Sequence, residues 1–178
     1  MKAAMSIEPQ RFRDLMAAVA APVTVVATMG GGRPYGATVS SFASLSLEPQ
    51  LITVAFDNRS SMLARVLSAR TFGVNLLGCA QADLAVLFAQ RDVDRFAGTD
   101  WHADHGLPRL AGAAGWVVCE LRDVVAGGDH RLLLGHVTAA SRAELPPLIY
   151  AHRTFGTHSH YGEPPWPLII DQIAACAR

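Results

Sequence analysis

A run of hydroxyls, one arginine beside two serines, and one histidine carry the chemical possibilities of this chain. Residues 36–46 read Gly-Ala-Thr-Val-Ser-Ser-Phe-Ala-Ser-Leu-Ser, so five of eleven positions bear a hydroxyl. The stretch has strand length, and Thr38 and Ser40 fall on one face at the two-residue period of a strand, alternating with Val39 and Ser41. A core strand puts Val, Ile or Leu on such a face. Small donors there let a flat, polar ligand lie close to the backbone. A half-exposed edge strand with its hydroxyls in water accounts for the same residues, and the stretch alone supports both readings.

Asn58-Arg59-Ser60-Ser61 lies between the apolar run Leu51–Phe56 and a helically spaced set, Met62, Leu63, Val66 and Leu67. A helix therefore starts here. Helix N-termini present unpaired N–H groups and a partial positive charge, which suit phosphate. Arg59 adds a full charge and a forked donor. Capping by Asn58 or Ser60 explains the small polar residues but not the arginine.

His130 follows Gly128-Asp129 at the head of a strand. It reads either as a half-buried histidine bonded to Asp129 or backbone, or as an imidazole at the mouth of a barrel. His152, His158 and His160 invite a metal, and His158 and His160 would share a strand face. Only Glu163 stands near enough to complete a set, so no metal site is expected. There is no Ser-His-Asp order and no nucleophile elbow, and Cys119 sits in an apolar strand, so hydrolase chemistry is excluded.

The elements that must position these groups follow from periodicity and punctuation. Phe12, Leu15, Met16 and Val19 predict a helix over 9–20, opened by Pro9. Strands are expected at about 22–28, 35–42 and 50–56, the first two joined at Gly30-Gly31-Gly32. A short helix at 61–68, a strand at 71–77 and a helix at 80–89 follow. Residues 91–112 read as a long polar loop of the kind that is often functional. Two long strands, 115–125 and 130–141, join at Gly127-Gly128-Asp129. Strands outnumber helices, and close neighbours can pair antiparallel. The expected fold is mainly β: a small barrel with a few peripheral helices. Gly30-Gly31-Gly32 opens no helix and lacks dinucleotide-fingerprint spacing, so a nucleotide would not bind on a Rossmann unit.

At 178 residues one domain is expected, with a core over about 10–156 and a tail at 157–178. Hydrophobic residues make up 51% and charged residues only 17%, less polar surface than a monomer usually carries, so burial between subunits is expected. Net charge is zero, which argues against a nucleic-acid partner. No apolar run approaches the length of a membrane span. Cys79, Cys119 and Cys176 lack zinc spacing and fit free thiols in a reducing cytoplasm.

Taken in order, Val23–Thr28, the glycine turn with Arg33-Pro34-Tyr35, Glu48-Pro49, Leu51–Phe56, Asp57–Ser61, Phe72–Leu77, Arg95-Phe96-Ala97-Gly98 and Gly128-Asp129-His130 resemble the flavin reductase-like family. These are short-chain NAD(P)H:flavin oxidoreductases built on an FMN-binding split β-barrel. The resemblance covers about residues 10–156, and the order and spacing of the segments are more specific than any one of them. It implies that Arg59, Ser60 and Ser61 hold a flavin phosphate. It implies that Thr38, Val39, Ser40 and Ser41, with Ala55, Phe56 and Asp57 of the next strand, face the ring. It implies that His130 and Phe155 lie by the nicotinamide, where His130 need not be an acid or base. The implied activity is hydride transfer from NADH or NADPH to FMN or FAD, by a homodimer that supplies reduced flavin to a partner monooxygenase or halogenase. Two alternatives stay open: another split-barrel flavin enzyme, of the pyridoxamine-phosphate oxidase or corrin reductase kind, and a non-catalytic flavin-binding electron carrier. The tail, with Trp166-Pro167-Leu168-Ile169-Ile170, departs from the family pattern and is expected to pack on a partner subunit.

Overall fold

The computed structural model describes residues 7–157. In chain order the elements are α1 (Pro9–Ala18), β1 (Ala21–Pro22), β2 (Thr24–Gly30), β3 (Arg33–Val39), β4 (Ala43–Leu47), β5 (Gln50–Asp57), α2 (Ser61–Ala69), β6 (Thr71–Leu76), α3 (Ala82–Ala89), β7 (Trp101–Asp104), β8 (Leu107–Leu110), β9 (Gly115–Gly127), β10 (His130–Arg142), β11 (Ile149–Ala151) and β12 (Thr154–Gly156). Seven strands form one antiparallel sheet in the order β3-β2-β6-β9-β10-β5-β4. The fold is a split β-barrel with peripheral helices.

β2 shows why the sequence folds this way. Val23 to Thr28 are all buried, because β2 lies inside the sheet and is covered on both faces. Val26 joins a core with Phe72, Val74, Leu133 and the α2 residues Met62, Leu63 and Val66. Val25 and Ala27 face the other way, into a second core with Phe88 of α3, Phe96 and Leu110. Each fully buried aliphatic or Phe side chain contributes roughly 1.5–3 kcal/mol, so such a strand reads as a continuous apolar run. Its two threonines are satisfied internally: the Thr24 hydroxyl donates to the Val39 carbonyl at 2.8 Å and the Thr28 hydroxyl to that of Thr71 at 2.8 Å.

The hydroxyl stretch differs from expectation. It is not one strand over 35–42 but two: β3 ends at Val39, residues 40–42 have no ladder partner, and β4 starts at Ala43 and folds back on β5. β3 and β4 are the two sheet edges, and no ladder joins β3 to β5 among the described residues. That gap is the split. Residues 91–112 are also not wholly irregular, since they contain the hairpin β7–β8. A second, three-stranded sheet has the order β1-β11-β12, with β11 antiparallel to both its neighbours.

Helix α1 buries no residue. Its apolar stripe is on the surface, with Phe12 50% and Leu15 58% exposed. It is tied down at its polar side by the Arg153–Asp14 ion pair at 2.5 Å. No helix among the described residues is long and apolar enough to cross a membrane.

Candidate functional site

The gap between β3 and β5 opens into a cavity of about 710 Å³. Thr38, Val39, Ser40 and Ser41 form one wall and Ala55, Phe56 and Asp57 the other. Arg59, Ser60 and Ser61 stand at one end, and His130 lines the same space. The structure thus brings together, from four separated segments, all ten residues read as flavin-facing and the histidine.

The wall hydroxyls are less available than the sequence suggests. The Thr38 hydroxyl donates to the Ala85 carbonyl in α3 at 2.7 Å. The Ser41 hydroxyl accepts from the Ala55 N–H at 2.8 Å and donates to the Ala55 carbonyl at 3.1 Å. Ser41 therefore replaces the backbone rung that would continue the β4–β5 ladder past Ala43–Thr53. Bonds to a ligand ring would come from the backbone of residues 40–42, free of any ladder, and from the Ser40 hydroxyl, which has no partner among the described residues. Gly36 sets the width on this side: a Cβ there would stand 2.9 Å from the Phe88 ring, so only glycine lets α3 seat against β3.

The β5–α2 junction is built for an anion. The first amides of α2, at Ser61, Met62 and Leu63, have no intrahelical acceptor by geometry. Ser60 is the N-cap residue, yet its side chain makes no cap bond. The plain capping reading fails here, which leaves these donors open. Arg59 is close by, with an 88% exposed side chain held by Asp57: Nη2 donates to Oδ2 at 2.9 Å and Nε to Oδ1 at 3.2 Å. The Arg59 backbone N–H also donates to Oδ1, at 2.7 Å. The Arg59 side-chain bonds, then this backbone bond, then the Arg59 and His130 charges hold the Asp57 carboxyl well below the usual carboxylate range, and Asp57 in turn raises the Arg59 guanidinium. Arg59 with the open amides fits a phosphate.

His130 opens β10 directly opposite Asp57 in the β5 ladder. Gly128, at φ +65°, makes the tight turn that places it. The imidazole is about half exposed, at 47%, and Nδ1 lies 2.7 Å from the Asp129 carboxylate, the bonded arrangement expected of it. That contact, more than any other, holds the Asp129 carboxyl below its ordinary value. It also leaves Nε2 as the free edge of the ring. Asn58 ties the two ends together: its backbone N–H donates to the Asp129 carbonyl at 2.9 Å, and its Oδ1 accepts from Arg131 Nε at 3.2 Å.

Phe155 is not in this cavity. It lines a neighbouring apolar depression of about 570 Å³ with Tyr150 and Arg153, and only Thr38, Ser40 and Ala89 border both spaces. His130 and Phe155 are therefore on opposite sides of that wall. Three charged residues of the cavity escaped assignment from sequence: Arg91, Asp92 and Arg95. Arg95 was visible as a segment of the resemblance but without a role. Its Nη1 donates to the Gly36 carbonyl at 2.7 Å and its Nε to the Gln90 carbonyl at 2.9 Å, and burial lowers its guanidinium. Cys119 is inert, its thiol pushed up to about 12 by burial. No cluster of three metal-ligating side chains occurs among the described residues. His158 and His160, and the Trp166–Ile170 segment, lie outside them.

The sequence profile of the flavin reductase like domain matches residues 16–159. The chain is 38% identical over 146 residues to the stachydrine N-demethylase reductase subunit of Rhizobium meliloti, covering 81% of this chain and 64% of that protein. It spans 49% of a probable flavin reductase from the same organism, at 37% identity and 84% of this chain. It is 36% identical to the reductase subunit of a flavin-dependent monooxygenase of Rhodococcus jostii, covering 92% of this chain and 86% of that one. Among solved structures, the NADH:FAD oxidoreductase of Streptomyces globisporus in complex with NAD and FAD fragments superposes with a TM-score of 0.83 at 30% identity, covering 90% of this chain and all of that one.

Proposed function

This chain belongs to the flavin reductase-like family, and we propose that it oxidises NADH or NADPH with FMN or FAD as acceptor and passes the reduced flavin to a partner flavin-dependent monooxygenase or halogenase. The observation that carries the reading is the single cavity holding an open helix N-terminus with Arg59 at one end, a split lined by unladdered backbone, and His130 beside it. Bound flavin supplies the hydride acceptor, and NADH or NADPH the hydride. The chain's own part is positioning. Arg59 and the amides of residues 61–63 take the phosphate. Residues 38–41 and 55–57 orient the ring. Nε2 of His130, with Nδ1 fixed by Asp129, hydrogen-bonds the nucleotide and transfers no proton. A nucleotide that runs past Thr38 and Ser40 reaches the depression that holds Phe155.

In this proposal the working unit is a homodimer of one-domain chains. Support comes from the low charge content and from the exposed stripe of α1, where five large apolar residues between Ile7 and Val19 face solvent.

The test is purification followed by NADH and NADPH oxidation assays with FMN, FAD and riboflavin added in turn. Nucleotide oxidation that depends on added flavin is the expected result. Flavin binding with no nucleotide oxidation would favour an electron carrier and overturn the proposal.

A further inference from the structure

We propose that Asp57 is a built-in rival of the ligand's phosphate, and that its hold on Arg59 sets how tightly a phosphorylated flavin is retained. The inference rests on the phosphate reading given above. Three observations lead to it. First, the guanidinium fork of Arg59 is already closed on a carboxylate, through Nη2–Oδ2 at 2.9 Å and Nε–Oδ1 at 3.2 Å. This is the two-pronged contact an arginine offers a phosphate. Second, both residues line the one cavity, beside helix amides that Ser60 leaves uncapped. The seat for an anion and an anion of the protein are therefore neighbours. Third, Asp57 faces a second basic residue: His130 is its partner across the β5–β10 ladder and, after Arg59, also acts to lower the Asp57 carboxyl.

The consequence is an exchange. A phosphate that engages Arg59 takes it from Asp57, and the carboxylate remains nearby as a like charge. Both effects weaken the hold on FMN or FAD while leaving riboflavin, which has no phosphate, untouched. The pair is exposed enough to exchange, since the arginine side chain is 88% accessible and the aspartate 35%. A protein that must let its flavin go gains from such a rival, whereas one that retains flavin permanently would lose by it.

The decisive variant is Asp57→Asn. Its amide oxygen can still accept from the Arg59 backbone N–H, so the turn survives while the charge is lost. Binding of FMN and riboflavin would be followed by quenching of flavin fluorescence in the wild type, Asp57→Asn, Arg59→Ala and the double variant. The FMN-to-riboflavin affinity ratio should rise about three- to tenfold in Asp57→Asn, the scale of one partly exposed charge contact; any change in ring contact at residue 57 acts on both flavins alike and cancels in the ratio. In the Arg59→Ala background the gain should be clearly smaller, because only the like-charge repulsion is then left to remove. The FMN-to-riboflavin ratio is read per competent molecule, so partial misfolding does not imitate the effect, and Asp57→Ser, which keeps an oxygen for the turn, serves as a second variant. An unchanged or lowered ratio in Asp57→Asn overturns the inference, as does a gain that persists undiminished without Arg59. Wild-type protein that binds neither flavin would instead overturn the functional reading. An Arg59→Ala variant that loses no FMN preference would overturn the phosphate seat.

Discussion

Two of the arginines that line the cavity, Arg59 and Arg95, are held in opposite ways. Arg59 projects into solvent and is gripped by one carboxylate. Arg95 lies partly buried in the segment after α3, its donors given to the carbonyls of Gly36 and Gln90. A carboxylate can be exchanged for another anion, because both states satisfy the guanidinium. Backbone carbonyls cannot leave, and their only alternative inside the protein is to go unpaired. Arg59 is thus a replaceable contact and Arg95 is a strut. An arginine near a ligand cavity is read correctly only from the partner it already has.

The comparison can be broken at several points. Arg95→Ala should have the largest effect. It strips the donor from the buried Gly36 carbonyl, at about 1–3 kcal/mol, and from the exposed Gln90 carbonyl, which water can serve, and lowers the melting temperature by roughly 5 °C. Because it loosens a wall, FMN and riboflavin should weaken together, and differential loss would make Arg95 a ligand contact instead. Arg59→Ala comes next. It should leave the melting temperature nearly unchanged and weaken FMN or FAD by about ten- to hundredfold, the equivalent of roughly 1.5–3 kcal/mol, with riboflavin unaffected. Equal losses for all three flavins would remove the distinction between the two arginines.

His130→Ala should raise the NAD(P)H KM and slow flavin reduction by about three- to tenfold, with flavin affinity unchanged. His130→Asn should regain part of the rate, since an amide still hydrogen-bonds. If Asn is as poor as Ala and both lose a limb of the pH profile between pH 5.5 and 9 in stopped-flow flavin bleaching, the residue is an acid and not a positioning group. The smallest effect concerns acid. Arg59 depresses the carboxyl of Asp57 in the folded protein, so the pair's stabilisation is present above the unfolded value, near pH 4, and is lost as pH falls toward the folded value. Asp57→Asn should therefore melt slightly below wild type at pH 7, and the gap should narrow steadily as pH falls below about 4. A gap that widens on acidification would reverse the sign.

β2, β5, β6, β9 and β10 and the helix starts were legible in the sequence because each rests on local signals, whereas the break of 35–42 into β3 and β4 and the β7–β8 hairpin were not. Val23–Thr28 has only apolar and β-branched residues, and Gly31-Gly32 and Gly128 supply the positive φ that their turns need. The β11–β12 hairpin was not legible, since its turn places His152 and Arg153 at φ +52° and +59°, residues that carry no turn signal, between strands of three residues. The types of the site residues could be read, but their partners could not. Thr38 is committed to a carbonyl 47 positions later, and nothing near Thr38 records where α3 will pack. Arg95 was hidden for the same reason: its acceptor, Gly36, is 59 positions away.

The Ser41 rung gives the barrel a seam. Elsewhere neighbouring strands are joined by ladders of main-chain bonds, which part only cooperatively. Beyond the end of the β4–β5 ladder the junction at Ala55 is a hydroxyl on a rotatable bond, so the cavity wall at residues 40–42 can lift from β5 there by a single rotamer change, without unzipping a strand. The amide proton of Ala55 is the reporter of that motion. In native-state hydrogen exchange it should trade with solvent faster than those of its buried neighbours Val54 and Phe56, at a rate that measures how often the cavity breathes wide.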